Sequence, residues 1–127
     1  IDKKTGIVFS SSAGFTLPDN SILSPDASWM SNERWASVTK EERDKFSHVC
    51  PEFVIEVRSK SDSIKALKEK METWIRNGAQ LGWLIDAKNR TAWIYRPAKN
   101  PVEITDLIIL GEAPDESFNL DLQDIYG

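Results

Sequence analysis

The sequence predicts an α/β or α+β domain, a mixed β-sheet with one central helix packed on it. Three observations carry that reading. "FVIEV", residues 53–57, is a near-continuous apolar run between Pro51 and Ser59, the mark of a buried central strand. "SDSIKALKEKMETWIRNG" spaces Ile64, Leu67, Met71, Trp74 and Ile75 so that they form one helical stripe. "LGWLID", residues 81–86, is a second apolar run. Strand, helix and strand over residues 52 to 86 predict a parallel pair with a right-handed crossover.

The other elements follow in order. "IDKKTGIVFSSS" reads as the tail of an element, so structure is expected before Ile1. "GIVFSSSAGFTL" holds two short β-rich runs, and Pro18, Asp19 and Asn20 form a turn before Ile22 and Leu23. In "SPDASWM", Ala27 and Trp29 alternate with Ser28 and Met30. Residues 7–30 therefore predict a β-meander. "SNERWASVTKEERDKF" is polar and partly helical, with Ser31 or Asn32 as a cap and Thr39 with Glu42 as a capping box. Ser61 or Asp62 is expected to cap the central helix, and Gly78 to stop it. "LGWLID" and "RTAWIYR" predict a hairpin around "AKNR", "VEIT" and "LIIL" a further pair, and "FNLDLQDIYG" ends the domain.

Composition narrows the class. The 127 residues suit one domain, and 40% hydrophobic with 28% charged residues is an ordinary globular mix. No apolar run approaches the ~18 residues of a membrane span, and no leader pattern opens the chain. A single cysteine, Cys50, forms no internal disulfide, and a reduced cytoplasmic setting is the simplest expectation. His48 lies two residues away, but no third orienting group accompanies them, so Cys50 reads as packing rather than as a nucleophile. The net charge of −4 argues against a wholly basic surface, though not against a locally basic cleft.

Two carboxylates stand out. Glu56 interrupts the most apolar strand, where a charge is costly unless it is paired or bound to a metal. Alternation places Val54, Glu56 and Arg58 on one face, so an ion pair with Arg58 is the structural alternative. Asp26 follows Pro25, and alone it reads as a turn residue. Together, Asp26 and Glu56 on adjacent strands would suit a hard divalent cation such as Mg²⁺. Such an ion activates water and offsets charge on a phosphate under attack, and a nearby lysine would assist. The helix offers Lys65, pointing away from its apolar stripe, and Lys68 and Lys70, which flank it. Periodicity does not choose between the two flanking lysines.

"SPDASW", "CPEFVIEVRSKSDS", "KMETWIRNGAQLGWLID" and "RTAWIYRP" together resemble the restriction-endonuclease-like family of the PD-(D/E)XK superfamily, long catalogued as a domain of unknown function. The resemblance runs from about Phe15 to the tail. It implies a restriction endonuclease-like mixed β-sheet core with a packed central helix, acting as a Mg²⁺-dependent DNA endonuclease, with Mn²⁺ as an alternative ion. Asp26 matches the aspartate of the Pro-Asp half-motif and Glu56 the acidic residue of the second half. The Val57 carbonyl is the implied third metal ligand. Arg58 stands where many relatives place a lysine, and Lys70 matches best as the relocated lysine. Ser59 and Ser61 match residues that shape the strand-to-helix turn. The family also carries an acidic residue on an N-terminal helix that this sequence lacks, which leaves the activity of the 1–127 domain open. Relatives are often dimeric, implying a homodimer on DNA. Two other readings stand beside this one. The net charge, Arg58 and the missing helix favour an inactive nuclease-fold module that binds DNA or protein. A weaker reading is self-association through exposed tryptophans. Trp74, Trp83 and Trp93 read as packing, while Trp29 and Trp35 are the candidates for base stacking.

Overall fold

At the centre of the sheet β5 (Phe53–Val57) runs parallel to β6 (Leu81–Asp86), with α3 (Ile64–Arg76) as the connection between them. In this computed structural model, which describes residues 6–10, 14–45, 48–105, 108–109 and 120–121, four antiparallel strands flank that pair. They are β1 (Gly6–Ser10), β4 (Ala27–Ser31), β7 (Thr91–Tyr95) and β8 (Val102–Ile104), and the sheet order is β1-β4-β5-β6-β7-β8. β5 has a strand on each side and helix α3 over one face, which explains its unbroken apolar run. Among the described residues no helix is long and apolar enough to cross a membrane.

The two faces of the sheet carry different cores. Val54, Leu84 and Tyr95 bury against Leu67, Met71 and Trp74 of α3. The opposite face gathers Trp29, Phe53, Ile55, Trp83, Ile85 and Ile94, with Phe53 and Trp83 edge to face at 4.8 Å. Burying each large side chain contributes about 1.5–3 kcal/mol. The distance between helix and sheet is set at Gly82. A Cβ placed there would collide with Met71 Cε and press on Val54 Cγ2 at 3.4 Å. The missing side chain lets Met71 descend onto the strand.

The caps follow local chemistry. Ser31 accepts from the Arg34 N–H and opens α1 (Asn32–Ser37). Thr39 and Glu42 exchange reciprocal bonds at the start of α2 (Lys40–Lys45), the expected capping box. The cap of α3 is Ser63, whose Oγ accepts from the Ala66 N–H, and not Ser61 or Asp62. Asp62 is engaged in the preceding turn. Gly78, at φ +124°, takes the left-handed position just past the helix end.

Two strand pairings differ from expectation. Residues 7–30 are not a simple meander: β1 pairs directly with β4, setting Val8 opposite Trp29. Between them β2 (Phe15–Thr16) and β3 (Ile22–Leu23) make a separate hairpin. Phe15 and Leu17 are fully buried in the core under α3, so this hairpin folds over the helix side instead of extending the sheet. Asp19 and Asn77 fasten it to the end of α3 through two bonds of 3.0 Å. In the second case, "VEIT" supplies β8, which pairs with β7. Ile108–Ile109 (β9) pairs with Leu120–Asp121 (β10) and not with β8. Apolar runs mark strands without naming their partners. Leu107 and Leu110, and the rest of the tail, lie outside the described residues.

Gly82→Val is expected to cost about 1–3 kcal/mol through overpacking beneath Met71. Urea denaturation should show a lower midpoint with an unchanged slope. Gly82→Ala should cost less, because the Met71 methyl it meets is the end of a flexible side chain.

Candidate active site

Glu56 is 2% exposed and faces α3 from the middle of the sheet. Its Oε2 accepts from Lys70 Nζ at 2.9 Å and from Trp74 Nε1 at 3.0 Å. Lys70 and Trp74 are four residues apart, so one helix face delivers both donors. Lys70 Nζ also donates to the Ser24 carbonyl at 3.0 Å, tying α3 to the segment before β4. Lys68 lies instead over the Trp93 ring, 4.5 Å from its centroid, and Lys65 is exposed. The packing thus separates the two lysines that periodicity left equivalent.

Burial pushes the Glu56 carboxyl above its usual range. The hydrogen bond and charge of Lys70 oppose this, as does the Trp74 N–H, while the Asp26 charge adds to it. Desolvation prevails, so ionised Glu56 is held at a net cost to the fold.

Asp26 is exposed, next to buried Pro25. The last pair of the β4–β5 ladder is Ala27↔Ile55, and the Asp26 N–H donates to the Ile55 carbonyl at 3.1 Å. Its side chain then does what backbone usually does: Oδ2 accepts the Val57 N–H at 2.6 Å. Ser28 and Met30 alternate toward α3, so Asp26 belongs to the same face as Glu56. The Val57 carbonyl, like its N–H, points to the β4 side. Among the described residues, Asp26 Oδ1 and Glu56 Oε1 take no hydrogen bond, leaving one open oxygen on each carboxylate.

Arg58 does not pair with Glu56. Its NH1 meets Asp86 Oδ2 at 2.9 Å and its Nε donates to the Asp62 carbonyl at 3.2 Å. Both carboxylates lie on its face of the sheet, but β6 runs parallel and ends beside Arg58 in Asp86. Burial opposes the Asp86 charge, yet hydrogen bonds from Asn89 and Arg58 outweigh it and hold that carboxyl below its usual range. Ser59 donates from its N–H and Oγ to Asp62 Oδ2 at 2.9 and 2.8 Å, and Ser61 Oγ lies 3.3 Å from Ser59 Oγ. Ser59 braces the turn, as the resemblance implies, while the capping expected of Ser61 falls to Ser63. Cys50 is buried and its thiol is pushed up to about 12 by burial, so it supplies no thiolate. Trp29, Trp74 and Trp83 are buried, and Trp35 and Trp93 half-buried, so none of the five is fully exposed.

Trp74 and Asp86 are the residues that sequence reading missed. The i, i+4 spacing of Lys70 and Trp74 beside a buried glutamate was the available signal for Trp74. For Asp86 the signal was its place at the end of the parallel strand. Among the described residues no three His, Cys, Asp or Glu side chains cluster as a ligand set. Two carboxylate oxygens and one carbonyl still suit Mg²⁺, which takes one or two carboxylates and fills its octahedron with water and substrate phosphate. The donor set therefore fits a hard divalent cation.

A family model, Uma2, described as "Putative restriction endonuclease", matches residues 1–123. Among solved structures, the chain is similar to "a putative nuclease belonging to DUF820" from Anabaena variabilis. The TM-score is 0.75 at 22% identity, over 98% of this chain and 69% of that one, a likeness that establishes the fold. A search of curated proteins finds no match.

Because the folded state raises the Glu56 pKa, its ionisation destabilises the metal-free protein. Glu56→Gln keeps an acceptor for Lys70 and Trp74 and removes that charge. Its metal-free Tm at pH 7 is expected to exceed the parent's, at about 4 °C per kcal/mol. The gap should close as pH falls below 4.5, the ordinary value of the group, where both states become protonated. Differential scanning calorimetry across that range checks it.

Proposed function

The chain belongs to the Uma2 family of restriction endonuclease-like proteins, and on that premise we propose that it is a divalent-cation-dependent nuclease that hydrolyses phosphodiester bonds in DNA. The observation that carries this reading is the Glu56–Lys70 pair, with the Asp26 carboxylate bound to the N–H of Val57, the residue next to Glu56. The preferred ion is Mg²⁺, with Mn²⁺ as a substitute, held by Asp26, Glu56 and the Val57 carbonyl. When bound, such an ion supplies Lewis acidity toward the phosphate and lowers the pKa of a coordinated water.

The residues divide the remaining work. Asp26 uses Oδ2 to hold the Val57 backbone, which fixes the distance between the two strands at the site and leaves Oδ1 available. Trp74 and Lys70 both grip Glu56 Oε2, which fixes the rotamer and leaves Oε1 available. Lys70 brings an ammonium to the carboxylate, where it orients the attacking water or faces charge developing on phosphorus. Arg58 stands at the motif position where many relatives carry a lysine, but the Asp86 pair turns it away from Glu56. Arginine would in any case be a poor proton carrier, because it does not deprotonate. A homodimer would let two such sites address both strands of a duplex.

Asp26→Asn and Glu56→Gln should each lower plasmid cleavage by about 10²–10³. Asp26→Asn retains an acceptor for the Val57 N–H, so the loss should come without unfolding. Titration calorimetry should show saturable Mg²⁺ or Mn²⁺ binding to the parent and none to Glu56→Gln. If both variants cut as fast as the parent, the site assignment fails. A parent that binds no metal at millimolar concentration is an inactive nuclease-fold module.

Trp74→Phe keeps most of the buried volume and removes one donor to Glu56. It should weaken metal binding and slow cleavage by about tenfold, within the 10–100-fold range for groups that orient metal ligands. An Mn²⁺ titration followed by electron paramagnetic resonance reads the affinity change apart from turnover.

A further inference from the structure

A cavity of about 540 Å³ opens at the carboxyl ends of β5 and β6, lined by Arg58, Ser59, Lys60, Asp86, Ala87 and Lys88. Asp26, Glu56 and Lys70 do not line it. It adjoins them through Arg58, two residues beyond Glu56 on the same chain path, about 7 Å of extended backbone.

The cavity is built from two braced turns. Ser59 and Asp62 close the first, which carries Lys60. Asp86 and Asn89 close the second, which carries Lys88: Asp86 Oδ1 accepts the Asn89 N–H and Oδ2 its side-chain amide. Arg58 clasps the two together, with NH1 on Asp86 and Nε on the Asp62 carbonyl. Its guanidinium is therefore engaged on protein, and so is the only carboxylate of the lining. Lys60 and Lys88 are exposed and form no ion pair or hydrogen bond among the described residues. In a chain of net charge −4, this rim presents two uncompensated ammonium groups beside the candidate metal site.

Resting on the nuclease reading above, we infer that this cavity holds the DNA backbone, with Lys60 and Lys88 contacting phosphates one or two steps from the scissile one. Phosphates recur every 3.4 Å of axis along a strand, so a rim that begins at Arg58, roughly 7 Å of backbone from Glu56, lies within reach of a near neighbour. Flexible ammonium groups act as point charges and lack the planar fork that reads a base edge. The contact therefore positions the strand without specifying its sequence.

The test is fluorescence anisotropy of the full chain with a labelled duplex in EDTA, across a salt series. Lys60→Gln/Lys88→Gln should weaken binding and flatten the log K against log salt slope by about 1.8, at ~0.9 per phosphate contact. Lys40→Gln/Lys99→Gln removes equal charge from α2 and the β7–β8 connection, outside the cavity lining, and should leave the slope unchanged. Circular dichroism verifies that each variant is folded. An unchanged slope in the first variant, or an equal drop in both, overturns the inference. If the parent still cleaves plasmid in that case, the nuclease reading stands without it. A parent that neither binds nor cleaves DNA takes both down.

Discussion

The structure depends on accommodating the Glu56 carboxyl inside the sheet. An ionised carboxylate in an apolar interior costs several kcal/mol unless it is paired and hydrogen-bonded. Here one oxygen, Oε2, takes both protein donors. Both come from α3, so the helix must lie in one register on the sheet for the charge to be tolerated. Gly82 sets how close the helix comes, and Met71 fills the space that its missing side chain leaves. The β2–β3 hairpin presses on the same helix through Phe15, whose ring meets Trp74 edge to face at 6.2 Å. Hairpin, helix and sheet thus converge on the residue that donates to Glu56. The raised Glu56 pKa shows that this support is incomplete. The fold carries a cost at the place where a cation would remove it, a pattern typical of functional sites.

Charge is distributed along the strands rather than evenly over the surface. The ends of β5 and β6 lead into Arg58, Lys60 and Lys88, and Lys70 comes down from the helix above. At the opposite sheet end Glu52 accepts the Ser31 N–H and pairs with Arg34 at 3.7 Å. The net charge of −4 is therefore not the local balance, because here Arg58, Lys60, Lys70 and Lys88 stand against Asp26, Glu56, Asp62 and Asp86. Electrostatic attraction of a polyanion acts over about 8–10 Å in physiological salt, so the local balance governs what approaches the site.

Much of this was legible in the sequence, and the failures share one cause. The central helix, the two buried strands and the Thr39–Glu42 box follow from periodicity and local capping, which need only neighbours in sequence. Glu56 was visible as a charge where charge does not belong. What could not be read was pairing across distance. β1 skips the hairpin to reach β4, β8 and β9 do not pair with each other, and Arg58 finds Asp86 on the neighbouring strand. The choice between Lys68 and Lys70 was of the same kind. Both flank the apolar stripe, and only the positions of Trp93 and Glu56 on the sheet decide which lysine goes where. Ser63 displaced Ser61 as the cap because Asp62 was already committed to Ser59, a competition the residue types alone do not rank.

On the proposed reading, turn chemistry and ligand chemistry at Asp26 do not exclude each other. The Pro-Asp pair does serve the backbone: Pro25 is buried, and the Asp26 carboxylate takes the N–H of Val57 beyond the last pair of the ladder. A backbone carbonyl could satisfy that N–H equally well, but it would leave nothing over. A carboxylate has a second oxygen, and its negative charge adds a little to the upward push that burial gives the Glu56 carboxyl. A residue needed only for the turn would be better neutral, since the charge works against its neighbour. On the proposed reading the second oxygen and the charge would serve the cation, with the turn as the means of holding them still.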